Sequence, residues 1–247
     1  MKVSVIVSVF NNKGTISDAI QSIILQNYEH IECIVIDAGS TDGTVEVVKS
    51  FGNKINVFVS ESDNGIYDGL NKGISLATGD VISFLHSDDV YDNKNVISNV
   101  VRLFSNDVQG VYGDLVYTHR ADVKKVVRYW KSGIFSTPLL DKGWMPPHPT
   151  LFLRSGVYHQ YGNFDSNYKI AGDYDFMLRI LKAGVLVRYL PSVLYRMRMG
   201  GKSNRSIKNL LNKSKEDFRA MKKNGINRPY LALFYKNSSK IMQLIRR

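Results

Sequence analysis

Residues 3–12 read VSVIVSVFNN, a run rich in β-branched side chains that ends in a polar pair. Apolar residues then recur at helical spacing over residues 16–24, so the sequence predicts a strand, a loop and a helix in this order. The apolar run of residues 31–37 begins a second unit of the same kind, with a glycine-containing turn and a short helix behind it. Such alternation is typical of parallel strands that are joined by right-handed crossovers.

The alternation continues to about residue 110 and then decays. Residues 55–60 and 81–85 are predicted strands, and residues 66–78 between them form a predicted helix. We therefore expect an α/β fold with an open, doubly wound, mostly parallel sheet that carries helices on both faces. The later segments predict strands at 111–117 and 126–130, an irregular region at 134–150, and helices at 173–183, 205–224 and 229–245.

Composition limits the classes of protein and of partner. The 247 residues carry a net charge of +11, and residues 202–247 hold thirteen Lys or Arg against two acids. The rest of the chain is therefore neutral overall, so no nucleic-acid partner is expected. The single Cys33 excludes an internal disulfide and a thiolate metal cluster, and it favours a reducing cytoplasm. The sequence contains no long apolar run or charged leader, so we expect neither a membrane span nor a secretory signal.

The predicted strands end in polar residues that suit a ligand site. Asn11, Asp37 and the pair Asp88-Asp89 all follow strand ends, and open α/β sheets bind ligands beyond the carboxyl ends of their strands. Two adjacent carboxylates repel each other there unless a cation or hydrogen-bond donors compensate. Mg²⁺ or Mn²⁺ takes one or two protein carboxylates together with phosphate oxygens. Asp88 and Asp89 are therefore the predicted metal ligands, and the alternative is that they cap a helix over residues 94–104.

Four segments together resemble the family 2 inverting glycosyltransferases of the GT-A fold. Residues 3–11 look like the opening strand of that family, and residues 35–44 closely resemble its second motif. Residues 61–79 are similar to a subgroup that builds bacterial capsule, O-antigen and exopolysaccharide. Residues 84–89 (FLHSDD) stand where the metal motif Asp-x-Asp belongs, with His86 in place of the first carboxylate. The match continues more weakly to residue 203.

The resemblance implies a nucleoside-diphosphate sugar as donor, with a UDP-sugar favoured, and Mn²⁺ or Mg²⁺ as cofactor. Asp88 would be the direct metal ligand and a donor contact. Asp37 is expected to bind the uracil or the ribose, and its alternative role is to hold the turn behind it. His86 either donates a hydrogen bond or packs at the strand end. The expected donor pocket also contains Ser8, Phe10, Asn11 and Asn71.

On the acceptor side, residues 172–175 (GDYD) resemble the later acidic motif of the family, whose aspartate is the general base. The resemblance makes Asp173 the expected base toward the acceptor hydroxyl, with Asp175 as the second choice. A helix-start aspartate is also a good N-cap, which is the alternative for Asp173. The rigid segment 146–150 holds His148, which the resemblance puts near the sugar or acceptor.

Basic residues near the end of the matched region suit a phosphate. Arg196, Arg198 and the loop 200–203 are predicted to close over the pyrophosphate, because guanidinium groups match phosphate geometry and glycines allow close approach. The alternative is a basic surface turn. We therefore expect residues 1–110 to be the nucleotide-sugar-binding half, residues 111–203 the acceptor-binding half of the same domain, and residues 204–247 a basic helical tail.

The tail itself predicts a contact with a membrane surface. Pro229 can open a helix, and Tyr230, Phe234 and Ile241 fall on one apolar face of it together with Met242 and Ile245. Basic amphipathic helices bind anionic membranes, so we expect a cytoplasmic protein that is peripheral on the inner face of the plasma membrane. A lipid-linked saccharide acceptor would lie there. The alternative is a helix docked on its own domain.

The predicted function is therefore a metal-dependent hexosyl- or N-acetylhexosaminyl-transferase that inverts configuration, acting in bacterial surface-polysaccharide synthesis on a lipid-linked or oligosaccharide acceptor. A nicotinamide-dependent dehydrogenase would need Gly-x-Gly-x-x-Gly after the first strand, and residues 10–14 read FNNKG. A sugar nucleotidyltransferase would need a glycine-rich, basic triphosphate loop at the same place. A catalytically impaired adaptor, bound to membrane or nucleic acid, is the non-enzymatic alternative.

Overall fold

The computed structural model describes residues 1–200 and 207–245, which form one nine-stranded sheet with helices packed against it. The strands are β1 Val3–Val9, β2 Ile31–Asp37, β3 Val57–Ser60, β4 Val81–His86, β5 Val90–Tyr91, β6 Gly110–His119, β7 Asp122–Trp130, β8 Phe152–Arg154 and β9 Val187–Arg198. The helices are α1 Ile16–Ile24, α2 Thr44–Lys49, α3 Ile66–Leu76, α4 Val96–Val101, α5 Ser155–Tyr161, α6 Gly172–Lys182, α7 Ile207–Lys223 and α8 Pro229–Ile245.

The sheet has a parallel half and a mixed half. Its order is β3-β2-β1-β4-β8-β6-β9-β5, and β7 pairs with β6 outside this path. Strands β3, β2, β1 and β4 are all parallel, as predicted from the alternating pattern. Val9 pairs with Asp37 and Ser8 pairs with His86, so β1, β2 and β4 end at nearly the same level. The carboxyl ends of these three strands therefore form one edge.

Helices cover both faces of the sheet. Along β1, Ile6 belongs to the core cluster that includes α3 and α6, while Val5 and Val7 belong to the cluster with α1 and α4. This is the period of two that a strand gives its side chains. Helix α3 can lie close to β1 because Gly73 has no side chain, and a Cβ there would stand only 2.4 Å from the Ile6 side chain. The expected α/β fold with helices on both faces is thus the observed one.

The second half of the chain contains elements that the sequence pattern does not predict. Strands β5, β8 and β9 and helix α5 have no clear apolar period, and β9 runs through Pro191. Strand β9 lies between β6 and β5, with a parallel ladder to β6 and an antiparallel one to β5. Such non-local pairing leaves little trace in local sequence. Arg196 and Arg198 consequently lie in a strand, which ends just before the loop predicted at residues 200–203.

The C-terminal helices α7 and α8 pack on the body of the fold. Helix α7 contacts α6, and α8 contacts α7 and the 3₁₀ turn Thr137–Lys142. Ala220, Met221 and Ala232 of these helices are buried in the same core cluster as α6. Docking on the chain's own domain, named above as the alternative to a membrane-binding tail, is therefore observed for the buried side of these helices. Among the described residues, none of the helices is long and apolar enough to cross a membrane.

Candidate active site at the carboxyl edge of the sheet

Asn11 joins the loops that follow β1 and β2. Its backbone N–H donates to Ser40 Oγ at 2.7 Å, and its side-chain Oδ1 accepts from the backbone N–H of Thr41 at 2.8 Å. The residue has φ +48°, a left-handed conformation that asparagine adopts more readily than most residues. Asn11 therefore shapes the wall of the predicted donor pocket, and its contact with the donor stays a prediction.

Asp37 is fully buried at the end of β2, and it holds the turn that follows. Its carboxylate accepts from the backbone N–H groups of Gly39 (3.2 Å) and Ser40 (3.0 Å) and from the Ser40 hydroxyl. The Ser60 hydroxyl at the end of β3 donates a further bond at 2.7 Å. This is the structural role named as the alternative for Asp37. A bond from the donor's base or ribose would have to be made in addition to these four.

The other residues predicted to contact the donor lie near the same edge or beside it. Ser8 is half-buried near the end of β1, and the Phe10 side chain is 48% exposed just beyond it. Asn71 on α3 donates from its side-chain amide to the Phe164 carbonyl at 2.9 Å and accepts from the Phe164 N–H at 3.0 Å. Both ends of the Asn71 amide are thus occupied within the protein.

Asp88 and Asp89 differ sharply in environment although they are adjacent. Asp88 is half-buried, and its carboxylate has no hydrogen bond or ion pair with the residues that the structure describes. Asp89 is fully buried, and its Oδ1 accepts from the backbone N–H of Arg198 at 3.1 Å. Burial, with the Asp88 charge beside it, raises the pKa of Asp89 well above its ordinary value. Asp88 is therefore the more open of the two predicted metal ligands.

Arg198 of β9 holds the Asp88-Asp89 turn through hydrogen bonds. Its guanidinium donates to the backbone carbonyl of Asp88 at 2.7 Å and to Asp18 of α1 at 2.5 Å, and its side chain is only 7% exposed. Arg196 pairs with Asp92 at 2.8 Å and donates to the Val123 carbonyl. These partners occupy both guanidinium groups. Closure over a pyrophosphate stays a prediction for them, and residues 201–203 of the predicted loop lie outside the described residues.

Two histidines connect the end of β4 with the acceptor side. His148 is buried, with its ring stacked on Phe84 at 5.3 Å and its centroid 6.4 Å from that of His86. Burial lowers the pKa of His148 to about 4, and the charge of Asp173 opposes this shift only in part. His148 is therefore neutral near pH 7. Its ring therefore lies close to His86 of the metal motif, and the charge of Asp173, the predicted base, acts on it.

Asp173 lies in the first turn of α6, half-buried and beside Tyr67 of α3. The Tyr67 hydroxyl is 3.2 Å from Asp173 Oδ1 and 2.7 Å from the carbonyl of Ile170. Burial, with the Asp173 charge second, raises the pKa of Tyr67, so the phenol keeps its proton. The N-cap residue of α6 is Ala171, so Asp173 does not cap the helix, although its Oδ1 accepts from the Tyr174 N–H at 2.8 Å.

Asp175, the second choice for the base, is completely buried and has four partners. Its carboxylate lies 3.1 Å from Lys223 Nζ and 3.0 Å from Asn224 Nδ2, with Tyr168 and Arg179 slightly farther away. This network connects α6 to the C-terminal end of α7. A carboxylate so enclosed is not open to an acceptor in this structure, so the geometry favours Asp173 over Asp175.

Comparison with known proteins identifies the family of the chain. The model of the family described as glycosyl transferase family 2 matches residues 4–177. The chain belongs to this family. The matched segment runs from β1 into α6, and it includes both the Asp88-Asp89 turn and Asp173. It ends before β9, α7 and α8, whose contacts to these residues are described above.

Named relatives of this family 2 glycosyltransferase are glycosyltransferases too. An uncharacterized glycosyltransferase of Haemophilus influenzae is 29% identical over 223 residues, which cover 84% of this chain and 68% of the relative. An uncharacterized glycosyltransferase of Mycobacterium tuberculosis is 31% identical over 193 residues, or 72% of this chain and 68% of the relative. A PGL/p-HBAD biosynthesis glycosyltransferase of Mycobacterium bovis is 27% identical over 208 residues, covering 81% and 78%.

Two solved structures show the same fold as this family 2 member. Staphylococcus aureus TarS 1–349 in complex with UDP-GlcNAc has a TM-score of 0.70 at 18% identity, covering 91% of this chain and 65% of TarS. The mannosyltransferase PcManGT of Pyrobaculum calidifontis, in complex with GDP-Man and Mn²⁺, has a TM-score of 0.70 at 18% identity, covering 97% and 73%. At this identity the likeness carries the fold alone, and it confirms the expected GT-A type.

Two residues of this site, Tyr67 and Glu216, and the observed role of a third, Arg198, were not predicted from the sequence. Tyr67 lies inside a segment that was quoted for its resemblance, but nothing in the pattern joins it to a residue 106 positions later. The supporting role of Arg198 depends on strand β9, which was not predicted. Glu216 of α7 bonds the segment before α6, and its signal was visible: it is one of two acids among thirteen basic residues in the tail.

Proposed function

We propose that this glycosyltransferase transfers a sugar from a nucleoside-diphosphate sugar, specifically a UDP-sugar, to a hydroxyl group of a saccharide acceptor with inversion. The observation that carries the proposal is the state of Asp88. Its carboxylate lies at the carboxyl edge of the sheet and has no hydrogen bond or ion pair with the described residues. Arg198 holds the turn by donating to the Asp88 backbone carbonyl. TarS binds UDP and UDP-GlcNAc, and PcManGT binds GDP-Man with Mn²⁺, which supports a donor of this class.

The residues at this edge fit a divalent ion. Besides the open carboxylate of Asp88, Asp89 Oδ2 is buried and has no hydrogen-bond partner in the described part of the chain. That part contains no group of three or more His, Cys, Asp or Glu that would form a full metal cage. Mg²⁺ and Mn²⁺ suit such a site, because phosphate oxygens and water complete their coordination. We assign Asp88, with Asp89 behind it, to hold the ion, which when bound would neutralise charge on the leaving diphosphate.

Asp173 is the proposed general base. Its carboxylate removes the proton from the acceptor hydroxyl, whose oxygen then bonds to the anomeric carbon of the donor sugar. The bond from that carbon to the diphosphate oxygen breaks, and the nucleoside diphosphate leaves with the electron pair. A single displacement of this kind inverts the anomeric configuration and needs no protein nucleophile. Tyr67 stays protonated beside Asp173 and orients its Oδ1.

The donor's base and ribose are assigned to the pocket around Ser8, Phe10 and Asn11. Asp37 fixes the 38–40 turn in that pocket with three hydrogen bonds and accepts a fourth from Ser60 of β3, and we propose it as a further donor contact. Arg196 and Arg198 would approach the pyrophosphate only after exchanging their present partners. Among the three pocket residues, Phe10 offers an exposed aromatic ring, which suits stacking on a nucleotide base.

The proposed acceptor is a lipid-linked saccharide or oligosaccharide at an anionic membrane surface, within surface-polysaccharide synthesis. Support comes from the outer face of α7 and α8, where Leu210, Leu211, Tyr230 and Phe234 are exposed beside numerous Lys and Arg. The Phe218 ring packs on the Tyr230 ring at 4.5 Å and joins the two helices on this face. Lys236 cannot contribute to such a surface, because it is buried in an ion pair with Asp217. Exposed apolar groups rimmed by cations suit an anionic leaflet.

The experiment that tests the proposal is calorimetric titration of UDP, with GDP in parallel, in the presence and absence of Mn²⁺. Metal-dependent binding of one nucleotide, with a Kd between about 1 μM and 1 mM, is expected. A screen of nucleotide sugars for hydrolysis then identifies the sugar, and it separates hexosyl from N-acetylhexosaminyl transfer. No nucleotide binding with Mn²⁺ would instead support the adaptor function. Turnover of a nucleoside triphosphate with a sugar phosphate would support a nucleotidyltransferase.

A further inference from the structure

The segment that leads into α6 is held by a residue outside the region that the family model matches. Glu216 of α7 accepts hydrogen bonds from three successive backbone N–H groups, those of Lys169 (3.1 Å), Ile170 (2.8 Å) and Ala171 (2.9 Å). Ala171 is the N-cap residue of α6, and its methyl side chain cannot accept a hydrogen bond. Glu216 therefore binds, from another helix, the backbone N–H of the α6 N-cap residue and those of the two residues before it.

Only one residue, Gly172, separates this contact from the proposed base Asp173. Residues 169–171, the α6 entry segment, end immediately before Gly172 and Asp173. The Tyr67 hydroxyl lies within hydrogen-bond distance of both the Ile170 carbonyl and Asp173 Oδ1. Ile170 is therefore held at its N–H by Glu216 and at its carbonyl by Tyr67. A Cβ on Gly172 would stand 2.8 Å from the Tyr67 ring, which shows how closely α6 begins against α3. A shift of the entry segment would therefore be passed to Asp173.

Residues of α7 and α8, together with Asn224, also contact the two residues after Asp173. Asp175 bonds to Asn224 and pairs with Lys223 at the end of α7. Below Tyr174, Lys236 Nζ of α8 lies 3.0 Å from the centre of the ring and pairs with Asp217 of α7 at 2.8 Å. Residues beyond 207 thus hold two residues of the first turn of α6, Tyr174 and Asp175, as well as the segment before it. Asp173 itself is left as the half-buried member of this turn that faces Tyr67.

On the basis of the general base assigned above, we infer that Glu216 is a positioning residue for Asp173, and that α7 is part of the catalytic unit. Glu216 does not touch the reacting atoms. It acts by holding the α6 entry segment, which sets the place of the Asp173 carboxylate relative to the acceptor hydroxyl. Placement on this scale matters, because a displacement of about 1 Å of a catalytic group can lower the rate by about 10²-fold.

The test uses the full chain with UDP-GlcNAc and Mn²⁺, or GDP-mannose if the nucleotide titration selects GDP, and water as acceptor. Glu216→Ala should lower kcat for hydrolysis by about 10- to 100-fold, with KM for the nucleotide sugar and Kd for the nucleotide unchanged. Glu216→Gln should lose less, because the amide oxygen still accepts from part of the segment. Glu29→Ala is the matched control: this exposed glutamate precedes β2 at the opposite edge of the sheet, and kcat should not change.

Amide hydrogen exchange over residues 169–171 supplies a readout that does not depend on activity. Exchange there should become at least about 10-fold faster in Glu216→Ala and stay unchanged in Glu29→Ala. A normal kcat in Glu216→Ala, beside a slow Asp173→Asn, would overturn the positioning role alone. Parallel loss of kcat and nucleotide affinity would also overturn it, because that result means general damage to the fold. A normal kcat in Asp173→Asn would overturn the general base, and with it this inference.

Discussion

Replacing Asp88 by Asn tests the proposed metal site without disturbing the fold. The Asp88 carboxylate has no hydrogen bond or ion pair with a described residue, so an amide of the same size removes no contact within that part of the protein. Substitutions of this kind usually change the free energy of unfolding by less than about 0.5 kcal/mol. For a chain of this size that corresponds to a change in Tm of about 2 °C or less. Activity should respond very differently.

The matched comparison is Asp89→Ala at the adjacent position. This change leaves the buried backbone N–H of Arg198 without its 3.1 Å acceptor, which costs about 1–3 kcal/mol. The Tm should then fall by about 2–12 °C. The two variants should therefore differ in stability, which Asp88→Asn keeps and Asp89→Ala loses.

The assay combines thermal unfolding with titration of UDP, or of GDP if that is the nucleotide selected, in the presence of Mn²⁺. Asp88→Asn should keep its Tm, lose metal-dependent nucleotide affinity, and lower kcat/KM for the nucleotide sugar by about 10²-fold or more, since it removes a direct metal ligand. Near-normal turnover together with normal metal dependence would remove Asp88 from the mechanism. A large fall in Tm would show that the carboxylate has a structural partner that the geometry does not reveal.

Three further predictions concern the base, the stability of the sheet and the membrane. Asp173→Asn should lower kcat by about 10²-fold while nucleotide Kd stays constant, and a normal kcat measured by steady-state kinetics would reject the base. Burial alone would raise the pKa of Glu32, but hydrogen bonds from Lys2, Ser4 and Thr78 lower it to about 2. Because the folded pKa is below the unfolded value, the stabilisation is present above about pH 4.5 and is lost as the pH falls toward 2. Urea titrations should show this loss for the wild type and not for Glu32→Gln. The protein should pellet with vesicles containing anionic lipid and be released at about 0.5 M salt, and a Tyr230→Ser/Phe234→Ser double variant should stay in the supernatant while its nucleotide affinity is unchanged; equal pelleting of the two proteins would contradict the membrane face.

The parallel half of the fold was predictable because each of its elements is local. The strand Val3–Val9 and the strand Ile31–Asp37 coincide with the predicted runs, and the predicted helix 66–78 differs from Ile66–Leu76 by two residues. A buried parallel strand is an uninterrupted apolar run, and a crossover helix has its own period of 3.6. These signals do not depend on any other part of the chain.

The second half was less predictable because its elements depend on distant partners. Strand Val187–Arg198 is held by β6 and β5, and seven of its twelve residues are only partly buried, so its own sequence lacks a clear period. The role of Arg198 could not be inferred without that strand. Asp37 shows a different limit, because a buried aspartate that holds a turn and one that binds a nucleotide look the same in sequence. The structure shows the four hydrogen bonds of the first role, and the contact of Asp37 with a nucleotide stays a prediction.

The ion pair between Asp18 and Arg198 has a consequence for the order in which the protein is made. Its two partners are 180 residues apart, and the strand that carries Arg198 inserts between β6 and β5. At about 5–20 residues per second, a ribosome adds Arg198 roughly 10–40 s after Asp18. During that time the first parallel strands can pair, yet the Asp88-Asp89 turn lacks the guanidinium that fixes it. The first parallel strands can therefore pair early, whereas the turn of the proposed metal site is fixed only after residue 198 has been made.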